Sequence, residues 1–113
     1  MTSFQDHLAR IKAKIAEVTP EEVAANLQHA VPMVVVDVRE RDEIENGFLP
    51  TANLLGRGHL EAKIASVAHG ADAPIVVYCA GGVRSAMAAA VLQDMGYSNV
   101  RSMAGGFTRW ARA

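Results

Sequence analysis

Two short runs, Met33-Val34-Val35-Val36-Asp37 and Ile75-Val76-Val77-Tyr78, are apolar without a break until their last residues. A strand with one solvated face alternates apolar and polar side chains, whereas a strand covered on both faces does not. These β-branched runs therefore predict central strands of a parallel sheet with helices above and below it. The remaining segments supply the helices. Between Ser3 and Ala16 the residues Phe4, Leu8, Ile11 and Ile15, with Val18 beyond, mark one apolar stripe of an amphipathic helix. Thr19-Pro20-Glu21-Glu22 combines an N-cap, a proline in the first turn and the glutamate of a capping box, so a second helix runs from Pro20 to about Gln28. Arg39 to Asn46 reads as a short polar helix stopped by Gly47, Ala52 to Leu54 as a brief strand, and Leu60 to Val67 as a helix. Arg84 to Met95 presents Met87, Ala88, Val91, Leu92 and Met95 on one helical face. Val100 to Met103 closes the series as a strand, followed by a short helix from Gly106 to Ala111. The expected class is α/β: residues 1–17 form a helical extension and residues 18–113 one domain.

At 113 residues a single domain can bury a core without disulfides or metals. A formal net charge of −1, with both signs interspersed, lacks the basic footprint of a nucleic-acid binder. No apolar run is long enough to span a membrane, and the N-terminal segment mixes charges into its apolar pattern, unlike a secretory signal. One cysteine cannot close an internal disulfide, and a free thiol suits a reducing compartment, so the cytoplasm is the expected location. His7, His29, His59 and His69 show no ligand spacing; no metal and no cofactor are expected.

The chemistry concentrates at that cysteine. Cys79 ends a strand, and Ala80-Gly81-Gly82-Val83-Arg84-Ser85 leads straight into a helix. A tight glycine-containing loop at a helix start aims backbone N–H groups at one point, with the positive end of the helix dipole behind them. A thiol there is more acidic than a free one, and its thiolate is the nucleophile. Asp37 and Cys79 both fall at strand carboxyl ends, where α/β folds collect their ligands. Arg84 places a cation in the first helical turn, against the dipole, which implies a partner or a ligand for it. Arg57, flanked by Gly56 and Gly58, is a second candidate cation. Asp37 reads as a brace for the next turn, Arg39 and Glu43 as a pair with each other or with neighbours, and Trp110 as a core or edge anchor.

Five segments resemble the rhodanese (sulfurtransferase) family, in particular its small single-domain members. They are Val36-Asp37-Val38-Arg39 with Glu43; Gly47-Phe48-Leu49-Pro50-Thr51-Ala52; Arg57-Gly58-His59-Leu60-Glu61; Tyr78-Cys79-Ala80-Gly81-Gly82-Val83-Arg84-Ser85; and Gly105-Gly106 with Trp110. The resemblance runs from about Val18 to Ala113. It implies a central parallel sheet of about five strands flanked by helices, to which the N-terminal amphipathic helix is an addition. It also implies that Cys79 takes a sulfane sulfur as a persulfide and passes it to a thiophilic acceptor such as cyanide or a thiol, a protein thiol included. The loop from Ala80 to Ser85 would bind the sulfur, with Arg84 and Arg57 as cations for a small anionic donor. Phe48 stands where many members have histidine. The loop interior carries no cation, unlike members specialised for thiosulfate, so polysulfides and persulfides stand beside thiosulfate as donors. A sulfur-carrier or regulatory module is the competing reading. A cysteine phosphatase or arsenate reductase fits less well, because such loops place five residues between cysteine and arginine, and here Ala80 to Val83 are four. Either a monomer or a homodimer is compatible with the pattern.

Overall fold

The computed structural model describes residues 3–112, so the outer ends of the expected segments, at Met1 and Ala113, lie outside the described residues. Helix α1 (Phe4–Lys14) is capped by the Ser3 side chain, which accepts from the Asp6 amide. Strand β1 (Ala16–Val18) follows at once. Helix α2 (Pro20–Gln28) begins on the expected capping box, in which Thr19 and Glu22 bond each other's backbone. After β2 (Val34–Asp37) come a 3-10 turn at Ile44–Asn46 and the two-residue β3 (Asn53–Leu54). Helix α3 (Leu60–Lys63) tightens into another 3-10 turn, Ile64–Ser66. Strand β4 (Ile75–Tyr78), helix α4 (Val83–Asp94), strand β5 (Val100–Met103) and helix α5 (Gly106–Arg112) complete the chain.

The five strands form one sheet in the order β1-β5-β4-β2-β3, every pairing parallel. Side-chain alternation divides the core between the two faces. Val36, Val38, Ile75, Val77 and Cys79 pack with Leu60, Ile64, Ala88, Ala89 and Leu92 on one side. Val35, Val76, Tyr78 and Met103 pack with Val18, Val23 and Leu49 on the other, where Phe107 and Trp110 of α5 close the edge. Cys79 thus inherits the α4 face, and Tyr78 the α5 face.

Three segments depart from the sequence pattern. The apolar stripe carries α1 through Ile15 and on to Val18, but Ile15 is an extended C-cap and Ala16–Val18 pairs with Arg101–Met103 as the edge strand. A three-residue strand is too short to show its own period, and the ladder to β5 outweighs continuation of the helix. Residues 39–46 form turns rather than a helix because side chains take over the backbone groups. Arg39 donates to the carbonyls of Glu43 and Gly47, and the Glu43 carboxylate accepts from the Glu40 amide. Helix α4 is also rotated from its expected face. It buries Ser85, Ala86, Ala88, Ala89 and Leu92, while Met95 is exposed and Met87 and Val91 border a groove beside α1. The alanine side allows the closer approach to the sheet, so the smallest side chains face it.

Candidate functional site

The site is built from the carboxyl end of β4 and the first turn of α4. Cys79 is 1% exposed, yet its sulfur is not left to apolar neighbours. The Gly82 amide donates to Sγ at 3.1 Å and the Ser85 amide at 3.4 Å, and the Ser85 hydroxyl lies 3.5 Å away. Burial pushes the thiol up. Hydrogen bonds from the Ser85 side chain and from the amides of Ser85, Gly82 and Gly81 outweigh it, and the net shift is below the ordinary cysteine value. The loop therefore favours the anion.

Two glycines make this geometry possible. Gly82 caps α4 with φ +102°, and a Cβ there would meet the Gly105 amide nitrogen at 3.2 Å. Gly106, with φ +58°, approaches the loop from below, so that a Cβ on it would stand 2.5 Å from the carbonyl oxygens of both Cys79 and Ala80. That approach lets the first amides of α5 brace the loop: Phe107 donates to the Cys79 carbonyl at 2.8 Å and Thr108 to the Ala80 carbonyl at 3.0 Å.

Arg84 has an ionic partner. Its guanidinium makes a two-pronged contact with the Glu43 carboxylate at 2.7 and 2.8 Å. The pair holds Glu43 at about 2, well below the ordinary carboxyl value, and raises Arg84. Arg84 also feels the Cys79 charge. Of the two pairings the sequence left open for Arg39 and Glu43, with each other or with neighbours, the carboxylates follow the second. Arg39 does bond Glu43, but through the main-chain carbonyl, and the carboxylate it clamps is Asp37, at 2.8 Å. Both members of that clamp are buried, and the Arg39 guanidinium lies 4.3 Å from the Phe107 ring centroid and 5.6 Å from that of Tyr78. Burial would lower the guanidinium, but Asp37 outweighs it and holds the cation charged. Asp37 is a brace, tying the loop after β2 to the floor of the site.

The predicted loop residues are brought together: Cys79, Gly81, Gly82 and Ser85 through the sulfur, with Ala80 held by its carbonyl and Arg84 at the side. Val83, the first residue of α4, is exposed. Arg57 shares no hydrogen bond with the Cys79 loop among the described residues; it pairs with Glu61 at 2.8 Å and borders a groove of about 280 Å³ with Ile11 of α1 and Met87 of α4. Two participants escaped the sequence reading. Glu43 was read as pairing with Arg39 or with neighbours, and its contact with Arg84 was not, since nothing local links it to a residue 41 positions away. Ser102 was passed over, although the period of Val100-Arg101-Ser102 puts it on the inward face; it is fully buried, with its hydroxyl 2.8 Å from that of Ser85. Among the described residues no cluster of His, Cys, Asp and Glu could hold a metal ion, and no helix is long and apolar enough to cross a membrane.

Residues 19–113 match the family model of the rhodanese-like domain. A sulfurtransferase of Allochromatium vinosum is 31% identical over 98 residues, covering 87% of this chain and 90% of the relative. The thiosulfate sulfurtransferase GlpE of Pseudomonas putida is 37% identical over 94 residues, 80% of this chain and 81% of the relative. A solved structure from Rhodopseudomonas palustris, described as a protein of unknown function and possible tyrosine phosphatase, superposes with a TM-score of 0.87 at 32% identity, covering 99% of this chain and 91% of that one. With the five-stranded parallel sheet and the cysteine loop at its carboxyl edge, these matches establish that the chain belongs to the rhodanese-like domain family.

Proposed function

We propose that the protein is a sulfurtransferase that carries sulfane sulfur on Cys79. The observation that carries the reading is the convergence of the Gly82 and Ser85 amides, with the Ser85 hydroxyl, on one buried sulfur. The sulfurtransferase class of the relatives supports it. In the first half-reaction the Cys79 thiolate attacks the outer sulfur of a donor. With thiosulfate, the S–S bond of the donor breaks, sulfite leaves with the electron pair, and Cys79 becomes an anionic persulfide. The loop amides that hold the thiolate then face a charge moved one atom outward. In the second half-reaction a thiophilic acceptor attacks the outer sulfur and the Cys79 thiolate departs; cyanide gives thiocyanate. The scheme calls on no histidine base: the amides and hydroxyl around Sγ lower the thiol's pKa from its ordinary value.

The Arg84–Glu43 pair bears on the donor. A guanidinium already neutralised by a carboxylate attracts a dianion less than a free one, so monoanionic polysulfides and persulfides suit this rim at least as well as thiosulfate. Phosphatase chemistry fits less well, because only four residues separate Arg84 from Cys79. A lone thiol that must stay reduced fits the cytoplasm.

The test is a donor panel of thiosulfate, polysulfide and glutathione persulfide, followed by cyanide, with thiocyanate as the readout. Wild type releases thiocyanate and Cys79→Ser releases none. Arg84→Ala retains transfer but needs more donor, its loss falling on kcat/KM more than on kcat. A protein that loads sulfur and yields it to a protein thiol but not to cyanide is a dedicated carrier. Hydrolysis of an aryl phosphate without any sulfur transfer overturns the reading.

A further inference from the structure

A buried polar residue on the neighbouring strand has no role in the scheme above. Ser102, on β5, is fully buried, and its hydroxyl lies 2.8 Å from that of Ser85, itself fully buried and 3.5 Å from Cys79 Sγ. The three groups form a line from sheet to sulfur: Ser102 Oγ, Ser85 Oγ, Cys79 Sγ. Every buried side-chain nitrogen and oxygen among the described residues has a hydrogen-bond partner, and for the Ser102 hydroxyl that partner is Ser85.

The protons in this line can be counted. Each hydroxyl carries one. When Cys79 is a thiolate, Ser102 donates to Ser85 and Ser85 donates to the sulfur, so both protons are used and both point the same way. When Cys79 is a thiol that donates to Ser85, the Ser85 proton turns to Ser102, and the Ser102 proton is left without an acceptor in a site closed to water. An unmet donor there is costly, and a hydroxyl that accepts one hydrogen bond donates a stronger one. We propose that Ser102 is a positioning residue that fixes the Ser85 hydroxyl proton on Sγ, so that the line Ser102–Ser85–Cys79 selects the anionic sulfur, as thiolate and again as persulfide. Ser102 never touches substrate; it acts through Ser85.

The ionisable groups on the surrounding elements are otherwise engaged. Arg84 on α4 is paired with Glu43, Asp37 at the end of β2 with Arg39, and Arg109 on α5 with Glu21, while Arg101 on β5 is exposed. Burial and Asp37 raise Tyr78, on β4, so that it stays protonated while the thiol titrates. Of these groups it is Arg84 that couples directly to the Cys79 charge, and it lies outside the serine line.

The assignment rests on Cys79 being the reactive sulfur, but its test does not depend on sulfur transfer. The rate of Cys79 alkylation by iodoacetamide is followed from pH 5 to pH 10 in wild type, Ser102→Ala and Ser102→Thr. Ser102→Ala shifts the midpoint upward by about half a pH unit or more, roughly threefold less thiolate on the acidic side of the profile. Ser102→Thr, which keeps the hydroxyl, restores the wild-type midpoint. An unchanged midpoint in folded Ser102→Ala, as judged by circular dichroism, overturns the positioning role and leaves the sulfurtransferase reading standing. A shifted midpoint in a protein whose wild type never loads sulfur would sustain the line and sink that reading instead.

Discussion

Gly106 is the position where one added methyl group should do the most local damage. Its Cβ would stand 2.5 Å from the carbonyl oxygens of both Cys79 and Ala80, whereas real Cβ atoms essentially never come within 3.0 Å, so backbone must move by at least the difference, roughly half an ångström. The obstructing atoms belong to the main chain, and no rotamer change relieves them. Gly106→Ala also forces an L-residue to φ +58°, which costs about 1–2 kcal/mol. Moving α5 away from the loop stretches the bonds from Phe107 to Cys79 and from Thr108 to Ala80, each contributing about 1 kcal/mol. The sum is about 3–4 kcal/mol, set against the roughly 5–15 kcal/mol typical of a folded domain. The variant should therefore fold, with a lower denaturation midpoint and a displaced sulfur loop. Urea denaturation followed by fluorescence gives the first quantity, and the alkylation midpoint of Cys79 gives the second. Gly96→Ala is the control: φ is +108° there, but nothing lies within 4 Å of the added Cβ, so it carries backbone strain alone and is remote from the sulfur. If Gly106→Ala loses no more stability than Gly96→Ala and keeps the wild-type thiol midpoint, the bracing of the loop by α5 is wrong.

Two further substitutions probe the supports of the site. In Glu43→Gln the pH dependence of stability should change on the acid side. Arg84 holds the Glu43 carboxyl at about 2 instead of 4.5, so the stabilisation is present above pH 4.5 and is lost as pH falls toward 2. The side chains of Arg84 and Glu43 are 37% and 29% exposed, so solvent limits the contribution to about 1 kcal/mol or less. The stability gap between wild type and Glu43→Gln should therefore close between pH 5 and pH 2 in urea titrations; a constant gap contradicts the pairing. Tyr78→Phe removes the oxygen that accepts from the buried Leu49 amide at 3.0 Å and should cost about 1–3 kcal/mol in the same assay, whereas a neutral result shows that the amide finds another acceptor.

The central strands and the cysteine loop were legible because their signals are local. Met33–Asp37 and Ile75–Tyr78 announce burial on both faces, and strands β2 and β4 occupy nearly those limits. Thr19-Pro20-Glu21-Glu22 carries its own capping chemistry, and α2 begins where it indicates. The turn of Gly81 and Gly82 beside a strand-end cysteine likewise needs no tertiary information. What could not be read depends on residues distant in sequence. Strand β1 exists because β5 lies beside it, and its apolar residues continue the helical stripe of α1 well enough to disguise it. The face of α4 was misread because size, rather than hydrophobicity, decides which side meets the sheet. Glu43 finds Arg84 across 41 positions, and Ser102 meets Ser85 across 17; neither separation leaves a periodic trace. Arg57 was singled out by its flanking glycines, which say nothing of its partners: Glu61 at 2.8 Å, and a groove shared with α1 and α4.

The most direct measurement is the intact mass of the protein after incubation with polysulfide, with peptide mapping of any adduct. A sulfur cradle at Cys79 predicts the gain of a single sulfur atom, confined to the peptide containing Cys79, absent in Cys79→Ser and removed by cyanide. An unmodified wild-type mass with every donor, or a sulfur retained by the serine variant, would contradict it.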